Sequence, residues 1–159
     1  MKDTLLLYYS FDGNTDYVAR IMADRMPMDV ERLKVDKEPP KTGIKKLLEG
    51  GKSALMQEDP GLHPIRSDIR QYYDVILAFP VWAGTYPPAI GALLTMHPFV
   101  GKNVYLVACS ASGNARKAIA ALSDRLSGNT ILGTLSLKSP LKYKRETVAK
   151  IAEFDARRN

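Results

Sequence analysis

The sequence predicts an α/β fold: a doubly wound, five-stranded parallel sheet in the order 2-1-3-4-5, with helices on both faces. Three short apolar runs are typical of strands buried on both faces, and two runs of mixed polarity are typical of sheet edges. Helical patterns lie between these runs, so right-handed crossovers would cover both faces. With 159 residues, 45% of them hydrophobic, we expect one folded domain spanning residues 1–159.

The strands follow from the polarity of each run. Residues 4–9, 74–79 and 103–109 are continuous apolar stretches rich in branched and aromatic side chains, which indicates the centre of the sheet. Residues 28–33 and 130–137 alternate polar and apolar positions, so we place them at the two edges.

Apolar residues at helical spacing predict helices that end near Pro27 and Gly128 and a helix that follows the Pro87-Pro88 pair. The apolar positions are Val18, Ile21, Met22, Met26, Ile90, Leu93, Leu94, Ala118, Ile119, Leu122, Leu126, Val148, Ile151 and Ala152. Residues 45–56 suggest a further helix, interrupted by two glycines. We interpret the long 39–64 connection as a cover for a crevice or an interaction surface.

Several classes of protein are excluded. Cys109 is the only cysteine, so no intrachain disulfide can form, and His63 and His97 have no zinc-like spacing. Prolines interrupt the uncharged stretch 75–101, and the amino terminus lacks the pattern of a signal peptide. We therefore expect a cytoplasmic protein without a membrane span.

The charge is basic, with 23 Lys and Arg against 17 Asp and Glu, a net charge of +6. The lysine-rich stretches 34–52 and 138–145 lack the aromatic interleaving of single-strand binders and any groove-reading motif, so we expect no nucleic-acid partner. We interpret these stretches as solvated faces.

In a sheet of this topology the ligand crevice opens at the carboxyl ends of the first and third strands, where the winding reverses. The loop after the first strand has small, hydroxyl and amide residues directly before a helix. Its residues are Ser10, Phe11, Asp12, Gly13, Asn14 and Thr15. Backbone N–H groups and the helix dipole can hold a phosphate there, with side-chain donors from Ser10, Asn14 and Thr15. A capped strand-to-helix turn is the structural alternative.

This loop resembles the phosphate loop of the flavodoxin family, Ser/Thr-x-Thr-Gly-Asn-Thr, which binds the 5′-phosphate of FMN. Ser10, Gly13, Asn14 and Thr15 match, whereas Asp12 replaces a threonine. A carboxylate beside a phosphate is repulsive unless it points away, caps the helix or takes up a proton. We therefore expect weaker FMN retention. Some flavodoxin-like oxidoreductases also carry Asp-Gly here, and the resemblance extends over about residues 1–154.

The resemblance implies that two further loops border the flavin ring. The loop after the third strand supplies an aromatic, a glycine and small residues: Pro80, Val81, Trp82, Ala83, Gly84, Thr85 and Tyr86. Trp82 is the stacking candidate, with a core or surface position as the alternative, and Tyr86 either forms an outer wall or shapes the start of the next helix. The small, polar loop after the fourth strand suits backbone hydrogen bonds to the ring edge. Its residues are Ser110, Ala111, Ser112, Gly113 and Asn114.

The resemblance implies an FMN-binding electron-transfer protein, because FMN carries the chemistry and no catalytic side chain is needed. The basic charge predicts a redox partner with an acidic or mixed-charge docking face. It also predicts that the lower of the two flavin reduction potentials is less negative than in acidic flavodoxins. Two alternatives stay open: an FMN-dependent NAD(P)H oxidoreductase acting on a quinone or similar acceptor, and a cofactor-free interaction module. We interpret Cys109 as a core residue.

Overall fold

The computed structural model describes residues 2–40 and 58–159, and it confirms the predicted doubly wound sheet. Five parallel strands lie in the order β2-β1-β3-β4-β5. The strands are β1 Lys2–Tyr8, β2 Asp29–Arg32, β3 Tyr72–Pro80, β4 Asn103–Ser110 and β5 Thr130–Lys138. The mixed-polarity runs are the edge strands, as the sequence predicts.

The helices with clear apolar spacing are also present. They are α1 Asn14–Arg25, α2 Pro88–Met96, α3 Arg116–Arg125 and α4 Lys144–Arg158. Pro88 is the first residue of α2, where its missing N–H costs nothing and its fixed φ favours the helix. The further helix suggested at 45–56 lies outside the described residues. Within the parts of the chain that are described, no helix is long and apolar enough to cross a bilayer.

The core lies on both faces of the sheet, because successive side chains of a strand point to opposite sides. Leu5 and Leu7 of β1 pack in a cluster with α2 and α3, whereas Leu6 packs in a second cluster with α1 and α4. All three leucines are completely buried. The continuous apolar run of β1 is thus explained by a helix layer on each side.

The parallel arrangement brings the carboxyl ends of the strands to one edge, which we call the carboxyl edge. Backbone hydrogen bonds continue there beyond the ladders: Val81 N–H donates to Cys109 O over 2.8 Å, and Ser139 N–H donates to Ser110 O over 2.9 Å. These bonds hold the loops that follow β3, β4 and β5 beside one another.

Candidate functional site

The first predicted loop turns sharply from β1 into α1 at Gly13. Gly13 has φ +95°, in the left-handed region that favours glycine, and is the N-cap of the helix. A Cβ at this position would lie 3.4 Å from Leu141 Cδ1. Glycine therefore lets the chain reverse at the start of α1, where the N–H groups of the first turn have no partner within the helix.

Two hydroxyls of this loop are buried without a hydrogen-bond partner among the described residues. Ser10 is 1% exposed and Thr15 is completely buried, and neither Ser10 Oγ nor Thr15 Oγ1 makes a well-aligned hydrogen bond, although Thr15 lies close enough to Cys109 to lower the pKa of its thiol against the larger, opposite effect of burial. A buried hydroxyl without a partner costs free energy. Two such donors in one loop at a helix N-terminus fit an anionic ligand such as a phosphate.

The carboxylate of Asp12 binds the loop itself. Its Oδ1 accepts the backbone N–H of Asn14 over 3.0 Å, and its Oδ2 accepts the side-chain N–H of Asn14 over 2.8 Å. Of the arrangements that the sequence left open for Asp12, the structure adopts the one in which the carboxylate caps the first residue of α1. Asn14 is fixed in turn, because its Oδ1 accepts the N–H of Leu141 over 2.9 Å.

Ser139 and Pro140 form a fourth part of the crevice that sequence reasoning missed. A small cavity of about 110 Å³ brings parts of the first, second and third loops together with Ser139 and Pro140. Its lining is Asp12, Asn14, Pro80, Cys109, Ser110, Ala111, Ser139 and Pro140. The position of Ser139 directly after β5 was the available signal, since the carboxyl ends of all parallel strands meet at one edge.

The second loop is a tight turn. Trp82 and Thr85 exchange two backbone hydrogen bonds of 2.9 Å, and both central residues have positive φ, Ala83 at 50° and Gly84 at 74°. A two-residue turn with both φ values positive matches the twist of the strand pair it closes. The turn therefore projects as a short, rigid hairpin from the end of β3.

Trp82 packs into the core, as the structural alternative predicted. Its side chain is 2% exposed and lies edge-on against Tyr9 at 5.5 Å and Phe11 at 6.0 Å between ring centroids. Such edge-to-face pairs stabilise aromatic clusters. Stacking of Trp82 on a flavin stays a prediction, and because the side chain is buried, stacking requires Trp82 or a side chain that covers it to move.

Tyr86 is half-buried beside the start of α2 and lines a larger cavity of about 530 Å³. Thr85, Pro88, Met96 and Glu58 belong to the same lining. Both alternatives for Tyr86 are thus compatible with its position: it forms part of a wall and it packs where α2 begins.

The third loop is held by its own side chains. Ser110 Oγ accepts the N–H of Gly113 over 2.9 Å, and Asn114 Oδ1 accepts the N–H of Arg116 at the start of α3 over 3.2 Å. Gly113 has φ +82°, and a Cβ there would lie 3.1 Å from Lys138 Cβ. The loop is therefore compact and packs against the end of β5.

Cys109 and the histidines do not form a reactive centre. Cys109 is buried, and burial raises the pKa of its thiol to about 12, so the thiol is protonated at neutral pH. His63 Nε2 lies 2.6 Å from Asp36 Oδ1, away from the three loops. Residues 2–40 and 58–159 contain no group of His, Cys, Asp and Glu that could hold a metal ion.

Four cations surround the end of β5. Lys138, Lys142, Lys144 and Arg145 are exposed, and no carboxylate of the described residues lies within ion-pairing distance of them. The ammonium groups of Lys138 and Lys142 lie 5.1 and 5.4 Å from the ring centroid of Tyr143. We call residues 138–145 the basic loop. It is solvated, as the sequence predicts, and it adjoins the crevice through Leu141.

The sequence profile described as Flavodoxin matches residues 3–139. No curated protein matches the chain in sequence. Among solved structures, the chain is similar to a flavoprotein from Lactobacillus acidophilus in complex with FMN, at 20% identity and TM-score 0.68, covering 91% of this chain and 98% of that one.

Two other solved structures share the fold. A candidate flavoprotein from Bacteroides eggerthii is 18% identical, with TM-score 0.73 and coverage of 96% of this chain and 99% of that one. An NADPH-quinone reductase from P. pentosaceus is 13% identical, with TM-score 0.54 and coverage of 97% of each chain. Likeness at these identities establishes the architecture alone.

Proposed function

The chain belongs to the flavodoxin family, and we propose on this basis that it binds FMN at the carboxyl edge and serves as an electron-transfer protein. The observation that carries this proposal is the pair of buried, unpartnered hydroxyls, Ser10 Oγ and Thr15 Oγ1, at the start of α1. The relative from Lactobacillus acidophilus holds FMN on the same fold. A phosphate would give both hydroxyls a charged acceptor.

The residues of the first loop would hold the cofactor phosphate. Ser10 and Thr15 would donate their hydroxyl hydrogens, and the N–H groups of the first turn of α1 would add the positive end of the helix dipole. Gly13, with φ +95°, would let the backbone approach the phosphate closely. Such a site needs no lysine, because several backbone N–H dipoles directed at the phosphate can stabilise its negative charge.

The second and third loops would border the flavin ring. FMN, when bound, supplies one-electron and two-electron transfer, and the protein orients it and sets its potential. The rigid turn at Ala83 and Gly84 and the compact loop at Ser112 and Gly113 offer backbone groups instead of charged side chains. Their role is to position the ring and to leave its edge open for transfer.

The basic loop supports the expectation of a redox partner with an acidic or mixed-charge docking face. Its four exposed cations have no carboxylate neighbour among the described residues, so their field is not cancelled locally. The same field favours the negatively charged reduced flavin. We expect the lower of the two flavin reduction potentials, measured by spectroelectrochemistry, to be less negative than in acidic flavodoxins. We also expect the protein to act in the cytoplasm.

The first test is the visible spectrum of the purified protein, followed by titration of the apoprotein with FMN and riboflavin. We expect a yellow protein that releases FMN on denaturation. A protein that binds FMN also excludes the cofactor-free interaction module. A colourless protein that binds neither flavin would overturn the proposal.

A specific observation favours a second candidate, an FMN-dependent NAD(P)H oxidoreductase. The cavity of about 530 Å³ adjoins Thr85 and Tyr86, which belong to the loop expected to border the flavin, and it is wide enough for a small acceptor such as a quinone. Steady-state oxidation of NAD(P)H with a quinone distinguishes the two candidates. A carrier shows almost no turnover without its reductase, whereas an oxidoreductase turns over alone.

A further inference from the structure

The geometry points to Asp12 as the residue that sets how strongly this site distinguishes FMN from riboflavin, an inference that rests on the proposed function. Riboflavin is FMN without the phosphate, so the difference between the two affinities measures what the phosphate loop contributes. In this chain the loop contains its own anion. The carboxylate of Asp12 competes with the phosphate for the same donors.

The competition is visible in the contacts of Asn14. This residue would offer the phosphate its backbone N–H and its side-chain amide, yet the backbone N–H and one of the two amide hydrogens are donated to Asp12, over 3.0 and 2.8 Å. The Asn14 side chain cannot rotate freely away, because its Oδ1 holds the N–H of Leu141 over 2.9 Å. The donors therefore stay directed at Asp12 until that carboxylate moves.

Displacing Asp12 has two costs. Two hydrogen bonds to a charged acceptor are lost, and the freed carboxylate remains close to the incoming phosphate, which carries the same sign of charge. Arg32 does not neutralise it directly, since its guanidinium binds Ser10 O over 3.0 Å and lies 3.7 Å from Asp16. Ser10 Oγ and Thr15 Oγ1 still favour the phosphate. The net contribution of the phosphate is therefore reduced, while riboflavin, which needs no such displacement, is unaffected.

The test compares FMN and riboflavin dissociation constants, by quenching of flavin fluorescence, for the wild type and three variants. Asp12→Asn keeps the shape and one acceptor for the Asn14 N–H, and its amide can donate to a phosphate. Asp12→Thr places in the loop the residue typical of the family. Asp24→Asn is the control: it changes the net charge equally, lies exposed near the end of α1, and is about 15 Å along the helix from Asn14.

We expect FMN to bind about tenfold more tightly or better to both Asp12 variants, with riboflavin affinity unchanged and Asp24→Asn like the wild type. An unchanged ratio of the two dissociation constants in both Asp12 variants would overturn the inference while leaving FMN binding intact. An equal gain in Asp24→Asn would overturn it as well, because net charge alone would then account for the effect.

The proposed function fails by a different result. If the wild type binds neither flavin and Asp12→Asn binds FMN, the inference stands and the wild-type chain is not a flavoprotein. If neither the wild type nor any variant binds either flavin, both the proposed function and the inferred role of Asp12 are overturned. Thermal melting of each variant shows that it is folded, and two different substitutions at position 12 guard against an effect peculiar to one side chain.

Discussion

The two edges of the sheet use their polar side chains in different ways. At the amino edge, where the strands begin, bonds join residues far apart in the chain: Arg158 donates to Asp74 over 3.3 Å and to Thr4 over 3.1 Å, and Lys102 donates to Tyr72 O over 2.5 Å. These contacts close the edge. They connect α4 and the residue before β4 to the starts of the central strands β1 and β3.

At the carboxyl edge most side-chain bonds are local. Asp12 binds Asn14 two residues on, and Ser110 binds the N–H of Gly113 three residues on. Two buried hydroxyls there, of Ser10 and Thr15, have no partner among the described residues. These local bonds shape each loop and leave the two hydroxyls as the donors that the proposed site would use.

Unpartnered atoms occur at the amino edge too, but in another setting. Arg158 Nε is buried without a partner, yet the same guanidinium donates three hydrogen bonds, to Thr4, Asp74 and the sulfur of Met26, and lies 4.6 Å from the ring centroid of Tyr105. His97 Nε2, at the end of α2, is also buried without a partner among the described residues, but its ring carries a second nitrogen. At Ser10 and Thr15 the unpartnered atom is the only polar atom of the side chain. The difference indicates that the polar contacts at the amino edge stabilise the fold, whereas the two unpartnered hydroxyls at the carboxyl edge cost stability.

The largest effect is expected for Arg158→Ala at the amino edge. Removing the guanidinium leaves the half-buried carboxylate of Asp74 without its cation and removes the contact with Tyr105. We expect a loss of about 3 kcal/mol in the free energy of unfolding, measured in urea, with FMN affinity unchanged.

Arg157→Ala is the matched control. Its side chain is 78% exposed and pairs one helical turn away with Glu153, so its loss is expected to cost less than about 0.5 kcal/mol. An equal loss in the free energy of unfolding for the two arginine variants would show that the contacts of Arg158 at the amino edge do not stabilise the fold. A large fall in FMN affinity in Arg158→Ala would show that the two edges are not independent.

The contrast between the edges also explains what the sequence could predict. The sheet order followed from runs such as residues 74–79, because the polarity of a strand reflects how many of its faces are covered. Gly13 was placed correctly in the loop directly before α1, because turn chemistry is local, whereas Asn14 and Thr15, assigned to the same loop, are the first two residues of the helix. The core packing of Trp82 was only one of two alternatives, since it depends on contacts with Tyr9, far away in the sequence.

Other features depend on long-range packing and were missed. Nothing near Asn14 in the sequence indicates that its amide would bind Leu141, 127 residues later. The hydrogen bond from Arg158 to Asp74, 84 residues apart, likewise could not be predicted from the sequence around either residue. The basic loop was recognised as charged and solvated, but its place beside the crevice required the fold.

A second prediction compares two buried threonines. Thr15 Oγ1 has no partner, whereas Thr147 Oγ1 donates to Tyr143 O over 2.8 Å in α4. Thr15→Val should leave the free energy of unfolding unchanged or raise it, since an unsatisfied hydroxyl is removed, while FMN affinity falls about tenfold. Thr147→Val should cost about 1 kcal/mol and leave FMN affinity unchanged.

Urea unfolding and FMN titration of both threonine variants check these opposite effects on stability and on FMN affinity. A loss of stability in Thr15→Val as large as in Thr147→Val would mean that the hydroxyl has a structural role. Unchanged FMN affinity in Thr15→Val would remove this residue from the proposed phosphate site.

The smallest effect is expected at two glycines that adopt the same conformation on opposite edges. Gly84 lies in the turn after β3 with φ +74°, and Gly101 lies before β4 with φ +71°. A Cβ at either position meets no atom within 4 Å, so only backbone strain opposes alanine. We expect each substitution to cost about 1 kcal/mol in the free energy of unfolding.

Flavin binding should separate the two glycine variants. Gly84→Ala adds a methyl group to the turn expected to border the ring, so FMN and riboflavin should both bind a few-fold more weakly, whereas Gly101→Ala should bind them like the wild type. Because the stability costs match, any difference in binding reports the position of the glycine alone. Equal flavin affinities in the two variants would place the ring away from the turn at Gly84, and weaker binding of FMN but not riboflavin would assign Gly84 to the phosphate end of the crevice.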